Sequence, residues 1–217
     1  MDIAIFGASG ATGTLLTQRC LAAGHSVRAL LRTPEKFPLR DRIHVIHGSP
    51  FNLASVNQTI EGADAVLSAL GARSLKKEDV LERGVPQLIA AMENSFSQPK
   101  PVRRIIVLGS AGALRSALDK QPEWRRWIVQ NIVYNTFLKW PVASQISQWN
   151  DLSQSQLDWT MVMPPMLTNG AARGAYRVDG DALPPNGSRI SRADVADFMM
   201  QEIDNPQWIR KGVYISW

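Results

Sequence analysis

Cysteine is nearly absent from the sequence: Cys20 is the single example, so the chain forms no internal disulfide. Cys20 falls one helical turn after Leu16, and this spacing predicts a small buried side chain rather than a reactive thiol. Cross-links are not needed at this length, because a core of this size buries roughly 70–75% of the surface that the unfolded chain exposes. We therefore expect one domain over residues 1–217.

Long apolar runs are missing as well. No run reaches the roughly 18 residues of a membrane-spanning helix, and Asp2 leads directly into a strand pattern without the basic region of a signal peptide. These absences predict a cytoplasmic protein. The net charge of +5 favours anionic partners. The basic residues are scattered through loops, however, so we expect neither a nucleic-acid partner nor a membrane partner.

Histidine is also scarce, with three residues in the chain. His44 and His47 lie three positions apart on a predicted strand, which points their side chains to opposite faces. No cysteine or carboxylate cluster joins them in the sequence. We therefore expect no metal site.

Glycine, in contrast, is concentrated in a turn near the start of the chain. Apolar residues 3–6 predict a buried strand, the spacing of Leu16, Cys20 and Ala23 predicts a helix face, and Gly7-Ala8-Ser9-Gly10-Ala11-Thr12-Gly13 lies between them. Glycines in such a turn let backbone N–H groups approach a pyrophosphate above the positive end of the helix dipole. The spacing is one residue longer in its first gap than the G-x-G-x-x-G fingerprint. It predicts a dinucleotide site; the alternative is a glycine-rich turn that binds nothing.

The end of the second predicted strand, residues 26–31, indicates which dinucleotide. NAD-selective sites place an acidic residue at this point, whereas an arginine accommodates the 2′-phosphate of NADP. This chain has Arg32 followed by Thr33 and no carboxylate. The pattern favours NADP(H), the alternative being a surface arginine that begins a loop.

Strand and helix patterns alternate along the rest of the chain. Further strands are predicted at 43–46, 65–70, 104–109, 159–163 and 212–215, with helices between them and a last helix from Ser191. This order predicts an α/β fold, a Rossmann-type doubly wound parallel sheet with helices on both faces and a small substrate-covering C-terminal region. A short strand at 175–178 is expected over the site.

One segment departs from this simple pattern. Aromatic and aliphatic residues recur at helical spacing between residues 114 and 140, at Trp124, Trp127, Ile128 and Ile132. Covering a substrate pocket is one possible role. We expect them to pack in the core instead, as aromatic stripes of this spacing usually do.

The glycine turn resembles the cofactor turn of atypical short-chain dehydrogenase/reductases. Residues 64–71, 157–165 and 190–196 are similar to segments of the NAD(P)H-binding group, which includes the flavin reductase/biliverdin reductase B type and the NmrA-like proteins. One departure is Gly48-Ser49-Pro50, where the family usually has Gly-Asp. The fourth strand should bring Gly71-Ala72-Arg73 beside the cofactor. The resemblance and the strand ends together assign as cofactor-binding residues Gly7, Ser9, Gly10, Ala11, Thr12, Gly13, Arg32, Leu70, Gly71, Ala72, Ser110 and Pro164.

Ser110, at the carboxyl end of a predicted strand, matches the serine that short-chain dehydrogenases place beside the nicotinamide, and it is our catalytic candidate. The same family pairs a tyrosine with a lysine four residues later. Here Tyr134 is followed by Leu138, and Lys139 comes one position too late. On an α-helix that step turns Lys139 about 140° away from Tyr134, because residues advance about 100° each. We therefore assign no tyrosine catalyst, and the resemblance implies that the flavin reductase type manages without the pair.

A hydrolase is excluded by the spacing around the same serine. The G-x-S-x-G elbow would require glycine at position 108, where the chain has leucine, and none of the three histidines follows Ser110. Hydride transfer remains, with the cofactor carrying the chemistry.

Three functions are therefore considered. The first is an NADP(H)-dependent oxidoreductase that transfers hydride to a small planar acceptor such as a flavin or quinone, a choice that rests on the resemblance. The second is a non-catalytic NADP(H)-binding, redox-sensing regulator of the NmrA-like kind, which the missing Tyr-x-x-x-Lys pair suggests. A sugar-nucleotide epimerase is disfavoured by the same absence. The sequence leaves substrate and oligomeric state open.

Overall fold

A computed structural model of the chain describes residues 1–72 and 76–217. Arg73, which the sequence pattern places beside the cofactor, lies outside the described residues. The strands are β1 (Asp2–Phe6), β2 (Ser26–Leu31), β3 (His44–His47), β4 (Ala65–Ser68), β5 (Arg104–Leu108), β6 (Asp158–Met163), β7 (Met166–Thr168), β8 (Arg177–Asp179), β9 (Arg189–Ser191) and β10 (Lys211–Ser216). The α-helices are α1 (Ala11–Ala22), α2 (Leu53–Ile60), α3 (Val80–Asn94), α4 (Glu123–Ile128), α5 (Lys139–Gln154) and α6 (Arg192–Asp204).

The main sheet has eight strands in the order β3-β2-β1-β4-β5-β6-β10-β8. All neighbours in it are parallel except β8, which runs antiparallel to β10. The chain steps outward from β1 to β3 and then returns to place β4 on the other side of β1. The crossover connections therefore diverge between β1 and β4, which opens a crevice at the carboxyl edge of the sheet.

Both faces of the sheet are covered, as a parallel sheet requires. Side chains alternate along β1, so Ile3 and Ile5 pack beneath α1 and α6, whereas Ala4 and Phe6 pack beneath α2, α3 and α5. The predicted Rossmann-type fold with helices on both faces is confirmed.

Cys20 lies at the contact between α1 and α6. Its side chain is fully buried, with its sulfur 3.4 Å from the sulfur of Met200. Burial raises the pKa of the Cys20 thiol to about 12, so the thiolate form is suppressed at neutral pH. The structure thus agrees with a packing role for this residue.

One local expectation is wrong. The strand expected at 175–178 over the site is β8, and it lies at the far edge of the sheet beside β10 instead. The last strand, β10, is accordingly the second from that edge. The short pattern of alternating residues predicted a strand correctly, but the neighbour with which it pairs is decided by the path of the chain.

The tryptophan-rich segment is the second correction to the sequence-based picture. It forms α4 and a π-helical stretch, Val129–Phe137, and no residue of α4 is buried. Trp124 and Trp127 are 68% and 60% exposed, and Ile128 and Ile132 are exposed as well. Helical spacing correctly put these residues on one face, yet it carries no information on whether another layer covers that face.

Candidate functional site

A cleft of about 740 Å³ opens at the carboxyl edge of the sheet, over the ends of β1, β4 and β5. Its volume lies within the range of roughly 300–1,000 Å³ that is usual for ligand sites. Ten of the twelve predicted site residues line its walls: Gly7, Ser9, Gly10, Ala11, Thr12, Arg32, Leu70, Gly71, Ala72 and Ser110. The other two are Gly13 and Pro164.

The glycine turn forms the floor of the cleft. Gly7 adopts a φ of +77°, and a Cβ there would stand 2.5 Å from the carbonyl oxygen of Ala69, so no other residue fits this position without strain. Gly10 is the N-cap of α1, which begins at Ala11. The first N–H groups of α1 have no partner within the helix and lie at its positive end. A pyrophosphate fits such a cradle.

Gly13 and Pro164 support the cleft from behind. A Cβ on Gly13 would lie 2.1 Å from the carbonyl oxygen of Gly7, so this glycine permits α1 to pack against the turn. The carbonyl of Pro164 accepts a hydrogen bond from the N–H of Ala111 at 2.9 Å. That bond holds the loop that carries Ser110. Both residues therefore act on the cleft indirectly.

Arg32 lies at one end of the cleft, directly after β2. Its side chain is exposed, and within the described part of the chain it has neither an ion pair nor a hydrogen-bond partner. Pro50 and Leu70 add apolar surface to the lining of the cleft. An uncommitted guanidinium and apolar surface in one cleft suit a phosphorylated nucleoside.

Ser110 lies deeper in the cleft, at the end of β5. Its hydroxyl oxygen accepts a hydrogen bond from the N–H of Gly112 at 3.3 Å, so it stabilises the turn that follows. Its hydroxyl proton is donated to no other described residue, which leaves it available to a ligand in the cleft. The two roles considered for Ser110, in the turn and towards a ligand, are compatible in this geometry.

Tyr134 reaches the cleft from the π-helical stretch, above the turn at Gly112. Burial raises the pKa of Tyr134, so its hydroxyl stays neutral at physiological pH. Lys139 begins α5 on the exposed surface, with its ammonium group 5.2 Å from the centre of the Trp140 ring, and it does not line the cleft. Among the described residues that line the cleft there is no lysine.

Several lining residues were missed by sequence reasoning, among them Ser144 and Gln145 on α5 and Arg192 on α6. Arg192 donates a hydrogen bond to Asn169 Oδ1 at 2.6 Å, and Ser144 donates one to Glu82 Oε1 at 2.6 Å. Arg192 could have been found, because helices that cross between parallel strands begin at the carboxyl edge of the sheet and Arg192 is the first residue of such a helix. Ser144 had no such signal, since it stands in the middle of α5.

The described residues contain no group of three or more histidine, cysteine, aspartate or glutamate side chains that could hold a metal ion. None of the helices in residues 1–72 and 76–217 combines the length and apolar character required to cross a bilayer.

A family model for NAD(P)H-binding proteins matches residues 7–206 of this chain. Among solved structures, a proposed exported protein from Burkholderia pseudomallei is 26% identical, with a TM-score of 0.77 and full coverage of both chains. A wide-type short-chain dehydrogenase/reductase from Veillonella parvula, solved in complex with NADP, is 19% identical over 100% of this chain and 94% of the other, with a TM-score of 0.80. A proposed NADH-flavin reductase from Streptococcus pneumoniae is 23% identical over 100% and 99% of the chains, with a TM-score of 0.76.

Proposed function

Because the chain belongs to the family of NAD(P)H-binding proteins, we propose that it is an NADPH-dependent reductase that transfers hydride to a small planar acceptor such as a flavin or quinone. The observation that carries this proposal is the continuity of one cleft from the glycine turn and Arg32 to Ser110 and Tyr134. A dinucleotide held at the first end would lie in the same cleft as the two hydroxyl groups at the other end.

The residues that line the cleft form two groups, one that suits phosphate groups and one that suits a flat ring system. Arg32 and the N–H groups at the start of α1 offer positive charge to phosphates, which supports NADP(H) as the dinucleotide. Bound there, the cofactor would supply the hydride. At the other end, Leu138, Pro141 and Val142 offer apolar surface, and Ser110 and Tyr134 offer hydroxyl groups. Apolar walls with a few hydroxyls suit a flat ring system with carbonyl or ring-nitrogen acceptors.

The identity of the acceptor rests on indirect support. The fold neighbour from Streptococcus pneumoniae is described as a proposed NADH-flavin reductase. The described lining of the cleft also holds no lysine to form, with Tyr134, the pair that protonates ketones or deprotonates alcohols, which disfavours ordinary carbonyl substrates. We place the reaction in the cytoplasm, with no nucleic acid or membrane as partner.

A direct assay tests the proposal. NADPH oxidation should be followed by absorbance with a panel of flavins and quinones, with NADH in parallel. The expected result is turnover of at least one acceptor, faster with NADPH than with NADH, and no turnover by a Gly10→Val control that blocks the turn. Tight NADPH binding without oxidation by any acceptor would contradict the reductase.

The second candidate is a regulator that binds NADP(H) without catalysis. The specific observation in its favour is that none of the described residues lining the cleft with Tyr134 is a lysine. Binding of both NADPH and NADP⁺ with clearly different affinities, together with the absence of turnover, would support this candidate instead.

A further inference from the structure

Two glutamines of α5 connect the end of β5 to the cleft through hydrogen bonds. Gln148 is fully buried, and its side-chain nitrogen Nε2 donates one proton to the carbonyl oxygen of Leu108 at 3.3 Å and the other to Gln145 Oε1 at 3.4 Å. Gln145 is half-buried and lines the cleft. The chain of hydrogen bonds therefore ends on a side chain at the cleft surface.

The carbonyl of Leu108 fixes the orientation of both side-chain amides. A backbone carbonyl only accepts hydrogen bonds, so the group of Gln148 that lies against it must be the NH2 group. The second proton of that NH2 group needs an acceptor as well, and Oε1 is the side-chain acceptor that Gln145 provides. The NH2 group of Gln145 is left without an acceptor among the described residues. A ligand in the cleft can therefore accept from it.

Glutamine is an unfavourable residue for stability at position 148. Its side-chain oxygen Oε1 is buried and accepts no hydrogen bond within the described part of the chain. An unpartnered buried oxygen is destabilising, whereas an apolar side chain of similar size in its place is often neutral or stabilising. Stability alone thus does not account for Gln148, but the orientation that it gives to Gln145 does.

Gln145 borders the same part of the cleft as Ser110 and Tyr134. Val142 lies one turn earlier on the same side of α5, and its Cγ2 atom is 2.9 Å from where a Cβ of Gly112 would stand. The Tyr134 ring is 3.6 Å from that point. The turn that contains Gly112 begins at Ser110. The amide of Gln145 and the two hydroxyl groups are therefore gathered at the end of the cleft assigned to the acceptor.

The described residues that line the cleft include no carboxylate, lysine or histidine, and their cations are Arg32 and Arg192. Arg192 begins α6, which packs on the opposite face of the sheet from α5, and it donates to Asn169 Oδ1. Glu82 is not part of this lining and accepts the hydroxyl proton of Ser144. The described groups that line the cleft from α5 are therefore neutral.

We propose that Gln145 Nε2 donates a hydrogen bond to the atom of the acceptor that becomes negative on hydride transfer, and that Gln148 is the positioning residue that holds this amide. The inference rests on the proposed reductase function. It restricts the acceptor to molecules with a carbonyl oxygen or ring nitrogen conjugated to the atom that takes the hydride.

Hydride transfer forms one C–H or N–H bond on the acceptor with two electrons from NADPH and leaves NADP⁺. The acceptor then holds one negative charge on its conjugated oxygen or nitrogen, and this atom takes a proton from water. A donor that is oriented before the reaction stabilises the developing charge without any reorganisation of the protein. The hydrogen bonds from Leu108 through Gln148 provide that orientation.

The first test needs no turnover. In the cofactor-free protein the nitrogen-15 heteronuclear NOE of the Gln145 NH2 group should be close to backbone values, because Gln148 holds the amide. In Gln148→Met it should fall to that of Gln154, an exposed glutamine at the end of the same helix, while the unfolding temperature changes little. A Gln145 amide that is as mobile as Gln154 in the wild type, or equally ordered in Gln148→Met, overturns the proposal.

The second test uses turnover with the acceptor found in the panel. Gln145→Met should lower kcat by about a hundred- to thousandfold, as loss of one oriented donor does, while the KM for NADPH changes little. Gln148→Met should lower kcat by about ten- to a hundredfold, because the donor remains but is misplaced. Gln154→Met is the matched control and should leave both constants unchanged.

Gln145→Glu adds a readout that a structural role would not give. At alkaline pH its carboxylate has no proton to donate, so the rate should be as low as that of Gln145→Met. As pH falls, the carboxyl group gains an O–H donor. The rate relative to the wild type at the same pH should then rise, whereas Gln145→Met should show no such recovery.

The outcomes separate the donor role from the reductase itself. Wild-type turnover with unchanged kcat in Gln145→Met overturns the donor role alone. A Gln145→Met protein that loses affinity for NADPH and keeps its kcat assigns the amide to the cofactor, and a Gln145→Glu protein without recovery in acid gives the amide a structural role; both overturn the proposal. A wild type that binds NADPH and reduces no acceptor overturns the reductase, and the donor role with it.

Discussion

At the scale of single residues, the chemistry of the cleft depends on groups that the fold leaves uncommitted. Within the described residues the Arg32 guanidinium has no ion pair and the Ser110 hydroxyl proton has no acceptor, and the one atom near a Cβ at Gly10 is the Gly7 carbonyl oxygen at 3.3 Å. Each of these features suits a ligand and contributes little to stability. Substitutions at these three positions should therefore change function while the protein stays folded.

Arg32→Ala should remove most of a preference for NADPH over NADH. Charge-assisted hydrogen bonds from the guanidinium to the 2′-phosphate contribute about 1.5–3 kcal/mol, a roughly ten- to hundredfold effect on affinity. Fluorescence titration of the wild type and Arg32→Ala with NADPH and with NADH measures the change in preference. Equal affinities of the unmodified protein for NADPH and NADH would refute the assignment of Arg32.

Gly10→Val should abolish cofactor binding and leave the unfolding temperature close to that of the wild type. The nearest atom to a Cβ at Gly10 is the Gly7 carbonyl oxygen at 3.3 Å, so the fold accommodates a side chain there at a cost of about 1 kcal/mol. Gly13→Val is the matched contrast, because its Cβ would lie 2.1 Å from the same oxygen and the fold itself should suffer. Gly7 is unsuitable for this test, since its Cβ would collide with the backbone of Ala69 and Leu70, which directly follow β4.

Calorimetry gives the unfolding temperature of the wild type, Gly10→Val and Gly13→Val, and NADPH titration of the same samples gives their cofactor affinity. A Gly10→Val protein that binds NADPH normally would show that the dinucleotide lies elsewhere.

Ser110→Ala should lower kcat/KM by about five- to thirtyfold, equivalent to 1–2 kcal/mol of transition-state stabilisation. The reason is the loss of one hydroxyl that is directed at the ligand, with the hydrogen bond to Gly112 as a smaller structural loss. Cofactor affinity should barely change. An unchanged rate would assign Ser110 to the turn alone, and a loss of about four orders of magnitude would place it in a proton relay.

At the scale of elements, the tryptophans fall into two classes that the sequence does not distinguish. Trp124 and Trp127 project from α4 into solvent, whereas Trp159 on β6 is 3% exposed and packs edge-to-face on Trp149 with ring centres 5.4 Å apart. The inward side of the tryptophan-rich segment is formed instead by Val129 and Tyr134, which pack against the core. The inward side of the segment thus contributes Tyr134 to the cleft, and its outward side, with Trp124 and Trp127, is exposed to solvent.

Trp124→Ala and Trp127→Ala should each change the free energy of unfolding by about 0.5 kcal/mol or less, as exposed substitutions usually do. Trp159→Ala is the control and should cost about 3–5 kcal/mol, because it leaves a cavity in the core. Denaturant unfolding of the three variants measures the difference. A loss of several kcal/mol at Trp124 would show that the exposed face is covered in solution.

At the scale of the whole molecule, Asp194 joins distant parts of the chain. The side chain is fully buried at the start of α6 and accepts hydrogen bonds from Ser191 Oγ, the N–H groups of Arg173 and Gly174, and Trp217 Nε1. It therefore links the C-terminal residue and the 173–174 loop to the helix that carries Arg192. Burial alone would raise the pKa of Asp194, but these hydrogen bonds outweigh it and lower the pKa.

Stability should consequently fall in acid. A carboxyl whose pKa is lower in the folded state stabilises the protein above its unfolded pKa of about 3.9, and the contribution is lost as pH falls through the folded value. Asp194→Asn should lower stability at pH 7 and flatten the acid limb of the curve of unfolding free energy against pH. Asp79→Asn, at an exposed carboxylate paired with Arg83, should change the curve less. An acid limb of the same slope in Asp194→Asn and the wild type would disprove this account.

Local sequence determined the features that depend on neighbouring residues. The glycine turn and the end of β2 at Arg32 were predicted because spacing and glycine content act within a few residues. The alternation of strands and helices was sufficient to predict the Rossmann-type sheet and, with the resemblance, the NAD(P)H-binding family. The site assignments and the single domain stay predictions.

Only the tertiary structure decided which distant residues meet. Ser144 and Glu82 are 62 positions apart, and they touch because α3 and α5 dock on the same face of the sheet. The exposure of Trp124 and the place of β8 at the sheet edge were decided in the same way. Periodicity identifies a shared face, but the partner of that face depends on the order of strands and on loop paths, which no local pattern records.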